Sequence, residues 1–183
     1  PWERAVVQEG FAEEGLAVGD ITGNGRLDIV SGTSWYSCDG DPMRDAWERH
    51  MYAPRFREMV RVACADITGD GRADILITDS EFVDGDLSWF AHCADPDRIT
   101  EHHIDSGLVF AHSFQAVRDD ADGAVRLFVA EMAAGGWEQP YNHDARVMFY
   151  TTRDHGATWT REIVSRGAGT HQGDRRLVAS DAF

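Results

Sequence analysis

The chain has 183 residues, enough for one domain with a real core and marginal for two. Acidic side chains outnumber basic ones 32 to 17, a formal charge of −15 that opposes a phosphate backbone and favours cations or neutral polar ligands, so no nucleic-acid partner is expected. No window approaches the roughly 18 consecutive apolar residues of a membrane span, and Cys38, Cys64 and Cys93 are too few and too scattered for a disulfide framework or a CxxC zinc site, leaving at most one disulfide.

In chain order, "WERAVV" from Trp2 reads as a strand with alternating character. An apolar strand, "GLAVGDI", leads into the Gly-rich turn of "DITGNGRLDIV", and "LDIVSGT", "SWYS" and "WERHMY" follow as three further strands. The same order then returns. "VRVACADI", the turn of "DITGDGRADIL", "ADILITD", "LSWFAH" and "ITEHHI" make a second set. "SFQAV", the DG turn in "RDDADGAVRLF", "VRLFVAE", "RVMFYTT" and "WTREIV" make a third. No segment of ten or more residues carries a convincing 3.6-residue apolar period, so helices are not expected.

Two rulers define the repeat. Asp20 and Asp66, which open the two near-identical loops, lie 46 residues apart. The last strands start at Trp2, Trp47, Ile99 and Trp159, at intervals of 45, 52 and 60. Asp20 falls 18 residues after Trp2, Asp66 falls 19 after Trp47, and Arg118 falls 19 after Ile99. Arg118 and Arg126 thus stand where the aspartates are in the earlier loops, so the third copy is decayed. Four short strands per repeat of about 45 to 60 residues is the pattern of propeller blades.

The loops "DITGNGRLDIV" and "DITGDGRADIL", with "GTSWY" and "LSWF" after them, resemble FG-GAP/VCBS repeats, the blades of integrin-alpha-like β-propellers found in many secreted bacterial proteins. The resemblance implies an all-β propeller of about seven blades, built of four antiparallel strands each. This chain would supply three, at residues 11–53, 54–107 and 108–167, with 1–10 the outer strand of a preceding blade and 168–183 the start of a following one. Three blades leave unpaired edges, so a single 1–183 segment is expected to join the rest of a longer chain or a second copy that closes the ring. An extracellular or periplasmic location is implied in the same way.

The loops also carry a donor pattern. Asp20, Thr22, Asn24 and Asp28 offer oxygens at positions 1, 3, 5 and 9, and Arg26 its carbonyl at position 7. Asp66, Thr68, Asp70, the Arg72 carbonyl and Asp74 do the same in the second loop, with one more carboxylate. Hard cations take six to eight such oxygens. An EF-hand is excluded, because position 12 holds Ser31 or Ile77 in place of the bidentate glutamate and strands flank the loops. A hairpin turn alone would also use NG or DG, but it does not require aspartate at both positions 1 and 9. The resemblance independently implies Ca²⁺ here. By carboxylate count the second loop is expected to bind more tightly, both in the weak range of about 10⁻⁴ to 10⁻³ M.

Innermost strands of a propeller line its channel, and the residues six places before Asp20, Asp66 and Arg118 are Glu14, Val60 and His112. With His171 and Arg175 in "GTHQGDRRLVAS" and Glu131 in "LFVAEM", these are candidates to converge on a ligand. The longest connection, "AEMAAGGWEQPYNHDARVMF", adds Trp137, Tyr141, His143 and Arg146, with Trp137 the one tryptophan outside the repeat register and the best candidate for stacking on a sugar. The first functional expectation is a calcium-binding module that binds a glycan or a protein partner. The second is a sugar-active lyase or dehydratase using His112, His143, His171 and Tyr141 as acid-base groups. No GxSxG, HExxH or Walker pattern occurs.

Overall fold

A computed structural model describes residues 2–10, 13–92, 99–133 and 142–167. Twelve strands form three antiparallel four-stranded sheets, and no helix occurs among the described residues. Sheet I holds β1 (Leu16–Gly19), β2 (Asp28–Ser31), β3 (Ser34–Ser37) and β4 (Glu48–Met51). Sheet II holds β5 (Val60–Ala65), β6 (Asp74–Asp79), β7 (Gly85–Ala91) and β8 (Thr100–Leu108). Sheet III holds β9 (Ser113–Arg118), β10 (Val125–Ala130), β11 (Arg146–Thr152) and β12 (Thr160–Arg166). Strands follow one another across every sheet in chain order, so each sheet is a meander joined by hairpins.

The register repeats as well. Gly19 pairs with Asp28, Ala65 with Asp74 and Val117 with Arg126, which places the first loop, the second loop and the decayed third turn at one equivalent hairpin. Left-handed glycines make the turns: Gly23 and Gly25 at φ 74° and 82°, Gly69 and Gly71 at 77° and 87°. A side chain at these angles would be strained, which is why the TGNG and TGDG spellings persist.

Period-2 alternation decides how the sheets stack. Every residue of β6 is buried; Ile75 and Ile77 enter a core shared with sheet I, while Leu76 enters a core shared with sheet III. The first core gathers Val30, Trp35, Val60, Val62 and Phe90, and the second gathers Trp89, Phe114, Leu127, Met148 and Tyr150. Sheet II therefore lies between the other two, with β1, β5 and β9 side by side. Each fully buried aliphatic or aromatic side chain here stabilises the fold by about 1.5–3 kcal/mol, enough in number to set the stacking without a helix.

The tryptophans in β3 and β7 are packing residues. Trp35 stacks on His50 with ring centroids 4.1 Å apart, and Trp89 stacks on His102 at 4.2 Å, in each case across one strand pair. His102, in the "HH" pair of β8, is a lid on a core indole. Residues 2–10, expected as an outer strand, form no strand, and Trp2 is exposed; a strand needs a hydrogen-bonding neighbour, and none of the described residues offers one to this segment. Residues 168–183 lie outside the described residues.

Candidate functional site

Both metal-type loops are wound around their first aspartate. Asp20 accepts hydrogen bonds from the amides of Gly23 (2.7 Å), Asn24 (3.0 Å) and Gly25 (2.8 Å), and Asp66 from those of Gly69 (2.6 Å) and Gly71 (3.2 Å). The ninth-position aspartates close the other side. Asp28 accepts from Ile21 and Thr22 at 2.9 and 3.0 Å, and Asp74 from Ile67 and Thr68 at 2.9 Å each. The paired aspartates thus have a structural task that a bare NG or DG hairpin does not set: they bind amides that face into the loop.

The same groups fit a hard cation. Asp28 and Asp74 are buried, and burial pushes both carboxyls above the usual carboxylate range, opposed by the amide bonds. A nearby positive charge would relieve that cost. Thr22 Oγ1 and Thr68 Oγ1 lie close enough to Asp28 and Asp70 to favour their ionised forms, yet both hydroxyls are shut from solvent and complete no hydrogen bond. Two orphaned oxygens at one equivalent position, beside carboxylates, form an all-oxygen donor set that suits calcium. Among the described residues no group of three or more His, Cys, Asp or Glu stands close enough together to hold a metal ion.

The third hairpin replaces this arrangement with arginine. Arg126 pairs with Asp119 and Asp122 at 2.7 Å each, and Arg153 joins Asp122 at 2.6 Å, which holds the Asp122 carboxyl well below its ordinary range. The turn is stapled by ion pairs in place of the aspartate cradle.

Where β1, β5 and β9 lie side by side, four polar side chains meet, one from β5 and three from the connections beside the strands. Arg61 in β5 donates to Glu14 Oε2 at 2.7 Å, just before β1, and to the His112 carbonyl at 3.1 Å, just before β9. Its other terminal nitrogen contacts His112 Nε2, and Glu81 Oε1 lies 3.2 Å from that same ring nitrogen. Burial first, and Arg61 second, push His112 below the usual histidine range, and its Nε2 lies between the Arg61 guanidinium and the Glu81 carboxylate. Glu14 and His112 were expected together with Val60. The neighbouring residue Arg61 takes that place instead, because Val60 is turned into the core and alternation turns Arg61 the other way. Beside this cluster a cleft of about 280 Å³ runs between β1, β5 and β9, lined by Leu16, Arg61, Cys64, Phe114 and Gln115. Burial pushes the Cys64 thiol up to about 12, so it is inert, and Cys64 and Cys38 are both free thiols.

Glu131 and Arg146, expected to contact ligand, are brought together but consume each other. Glu131, at the end of β10, is 3 % exposed; it accepts from Arg146 Nε (2.9 Å) and Nη2, from the Arg146 amide (2.9 Å) and from the Val109 amide (2.8 Å). This is a lock at the β10–β11 connection. His143 sits exposed in the turn that precedes β11. Trp137, Tyr141, His171, Arg175 and Cys93 lie outside the described residues.

One self-contained motif escaped the sequence reading. In "TTRDHGATWT", Asp154 accepts from Thr152 Oγ1 (2.8 Å), the Thr158 amide (3.0 Å) and Thr158 Oγ1 (2.6 Å), and Thr152 Oγ1 accepts from the Gly156 amide (3.0 Å). These bonds hold the Asp154 carboxyl at about 2. The signal was present as Thr-x-Asp-x-Gly-x-Thr, a run of turn-forming side chains between two strands. No protein-family model matches the chain, and no curated protein matches it.

Proposed function

We propose that the chain is a segment of a β-propeller-type binding module whose hairpins are stiffened by calcium and which takes a neutral glycan at the mouth formed by Glu14, Arg61, Glu81 and His112. The observation that carries the ligand site is the meeting of those four side chains, from β5 and the connections next to it, beside the cleft between β1, β5 and β9. Carboxylates accept from sugar hydroxyls, while Arg61 donates in a fixed fork. The mixed charges of the cluster and the −15 of the whole chain favour an uncharged oligosaccharide over an acidic one. A lyase or dehydratase reading finds less support here, since His112 Nε2 is already engaged by both Arg61 and Glu81.

The propeller arrangement is supported by a comparison of equivalent positions. Trp35 is 0 % exposed under sheet II and Trp89 3 % under sheet III, but Phe149, in the same register on sheet III, is 36 % exposed. On the opposite side, Val62 and Phe114 are each 7 % exposed and their sheet I counterpart Leu16 is 74 % exposed. Each outer sheet keeps one apolar face open, and in this fold the cover for such a face is another sheet of the same kind. Stacking of that sort, continued, makes a propeller.

Calcium would be held by Asp20, Thr22, Asn24 and Asp28 in one loop and by Asp66, Thr68, Asp70 and Asp74 in the other; bound there, it supplies positive charge to buried carboxylates. Added calcium is expected to raise the melting temperature and EDTA to lower it, and a chain indifferent to both would remove the metal reading. For the ligand, a neutral-glycan array probed with the wild type, Arg61→Ala and Glu14→Gln is the test. Signals lost in both variants support the site, and signals that survive both place the glycan elsewhere.

A further inference from the structure

We propose that His112 is a proton-driven selector at the ligand mouth: without a proton on Nε2 it engages Arg61 and leaves Glu81 to a ligand, and with one it engages Glu81 and leaves an Arg61 nitrogen to it. This rests on the glycan site proposed above and names its regulation. One ring atom makes both contacts. His112 Nε2 touches Arg61 Nη2 and stands 3.2 Å from Glu81 Oε1. A guanidinium nitrogen only donates and a carboxylate oxygen only accepts, whereas Nε2 either carries a proton or does not. Without the proton it accepts from Arg61, and two acceptors, Nε2 and Oε1, face each other. With the proton it donates to Glu81, and two donors meet at the Nη2 contact. No state of the ring satisfies both neighbours, so the cluster has two arrangements and the proton chooses between them.

The frame around that atom is fixed. Arg61 is held by bonds that do not involve the ring, from Nη1 to Glu14 Oε2 (2.7 Å) and the Val60 carbonyl (3.0 Å), and from Nε to the His112 carbonyl (3.1 Å). Losing the ring therefore frees Nη2 and leaves the guanidinium in place. The backbone ties the other two residues together. Phe110, buried and at φ 51°, donates its amide to the Phe82 carbonyl at 2.8 Å, which joins the segment carrying His112 to the connection carrying Glu81. A buried phenylalanine in the left-handed region is strained, and persists only where its surroundings hold it. Arg61 cannot retreat from the ring, while the Glu81 side chain can swing on its own bonds, so the neutral ring meets the fixed donor with its lone pair. Among the described residues the charged groups facing the ring are Arg61 from β5, Glu81 from the β6–β7 connection and Glu14 from the lead-in to β1. Burial and Arg61 together outweigh the two carboxylates, so the proton arrives only below about pH 6.5. The cluster then passes from one net negative charge, two carboxylates less one guanidinium, to none. What it offers a sugar hydroxyl changes from an acceptor, Glu81, to a donor, Arg61 Nη2.

Nitrogen-15 NMR of the imidazole rings in the whole 183-residue chain, titrated from about pH 8 to about pH 5, tests the selector directly. At the upper end His112 is expected to carry its proton on Nδ1. Its protonation is expected to move the Arg61 guanidinium and Glu81 carboxyl signals at one shared midpoint, lowered by Glu81→Gln and raised by Arg61→Gln. A neutral ring protonated on Nε2, or Arg61 and Glu81 signals that ignore the His112 midpoint, would overturn the selector, and both are read in the wild type even where a variant fails to fold. A neutral-glycan array read at about pH 7.5 and about pH 5 then links the exchange to binding. A profile that changes with pH in the wild type and not in His112→Gln is expected. Glycan signals indifferent to pH, alongside the NMR exchange, would overturn the regulation and leave the glycan site intact. No glycan signal at either pH, alongside the NMR exchange, would remove the glycan reading and support the proton exchange alone.

Discussion

Replacing Glu131 by alanine removes a carboxylate whose side chain is 1 % exposed and whose four bonds join the end of β10, the start of β11 and the segment before β9. Two backbone amides, of Val109 and Arg146, lose their acceptor, each worth about 1–3 kcal/mol when left unsatisfied in a buried site. The Arg146 guanidinium, 17 % exposed, keeps its bond to the Gly107 carbonyl (3.0 Å) and can be partly rehydrated, so its share is smaller. The total falls near the 3–5 kcal/mol lost when one partner of a buried pair is deleted, which for a domain of this size lowers the melting temperature by about 6–20 °C. Thermal and urea unfolding of Glu131→Ala, of Arg146→Met and of the double variant give the coupling between the two. Strong coupling with an unaltered glycan profile is expected. A loss below about 1 kcal/mol would refute the lock, and unchanged stability with abolished glycan binding would restore Glu131 to the ligand site.

Three further outcomes follow from the geometry. Gly156→Ala puts a Cβ 2.5 Å from the Trp89 ring and 2.8 Å from Ile67 at a residue with φ 81°, so a loss of about 2–4 kcal/mol is expected by chemical denaturation, against about 1–2 kcal/mol for Gly123→Ala, whose φ of 69° strains a side chain but whose Cβ would meet nothing. His112 and His92 both titrate below the unfolded value, chiefly through burial, so the unfolded chain takes up the proton first and stability declines as pH falls below about 6.5; His112→Gln should flatten the decline between pH 6.5 and 5, and an unchanged slope would exclude His112 as its source. With the faces around Leu16 and Phe149 open, the isolated chain is expected to self-associate in sedimentation or to bind a hydrophobic dye, and Phe149→Asp to weaken whichever occurs; a dye-silent monomer would contradict the open faces.

The twelve strands of the sheets, their order and the equivalence of the three hairpins were legible in the sequence because each is a local property, whereas the strand expected over 1–10 does not form in 2–10. Alternation of apolar residues, glycines at left-handed positions and the recurring aspartates need only a few neighbours in the chain to have their effect. Side-chain partnership across sheets was not legible. That Glu131 is spent on Arg146, that Arg61 and not Val60 meets Glu14 and His112, and that Arg118 serves the second loop all depend on strands brought together from 15 to 52 residues apart. The two loops show the division most plainly. Their near-identical spelling determined one turn geometry twice, through the same amide-to-aspartate bonds; only tertiary structure gave them different neighbours, delivering Arg118 from the next sheet to the second loop and laying the Arg72 side chain against Gly23 of the first, since packing and charge act through space and not along the sequence.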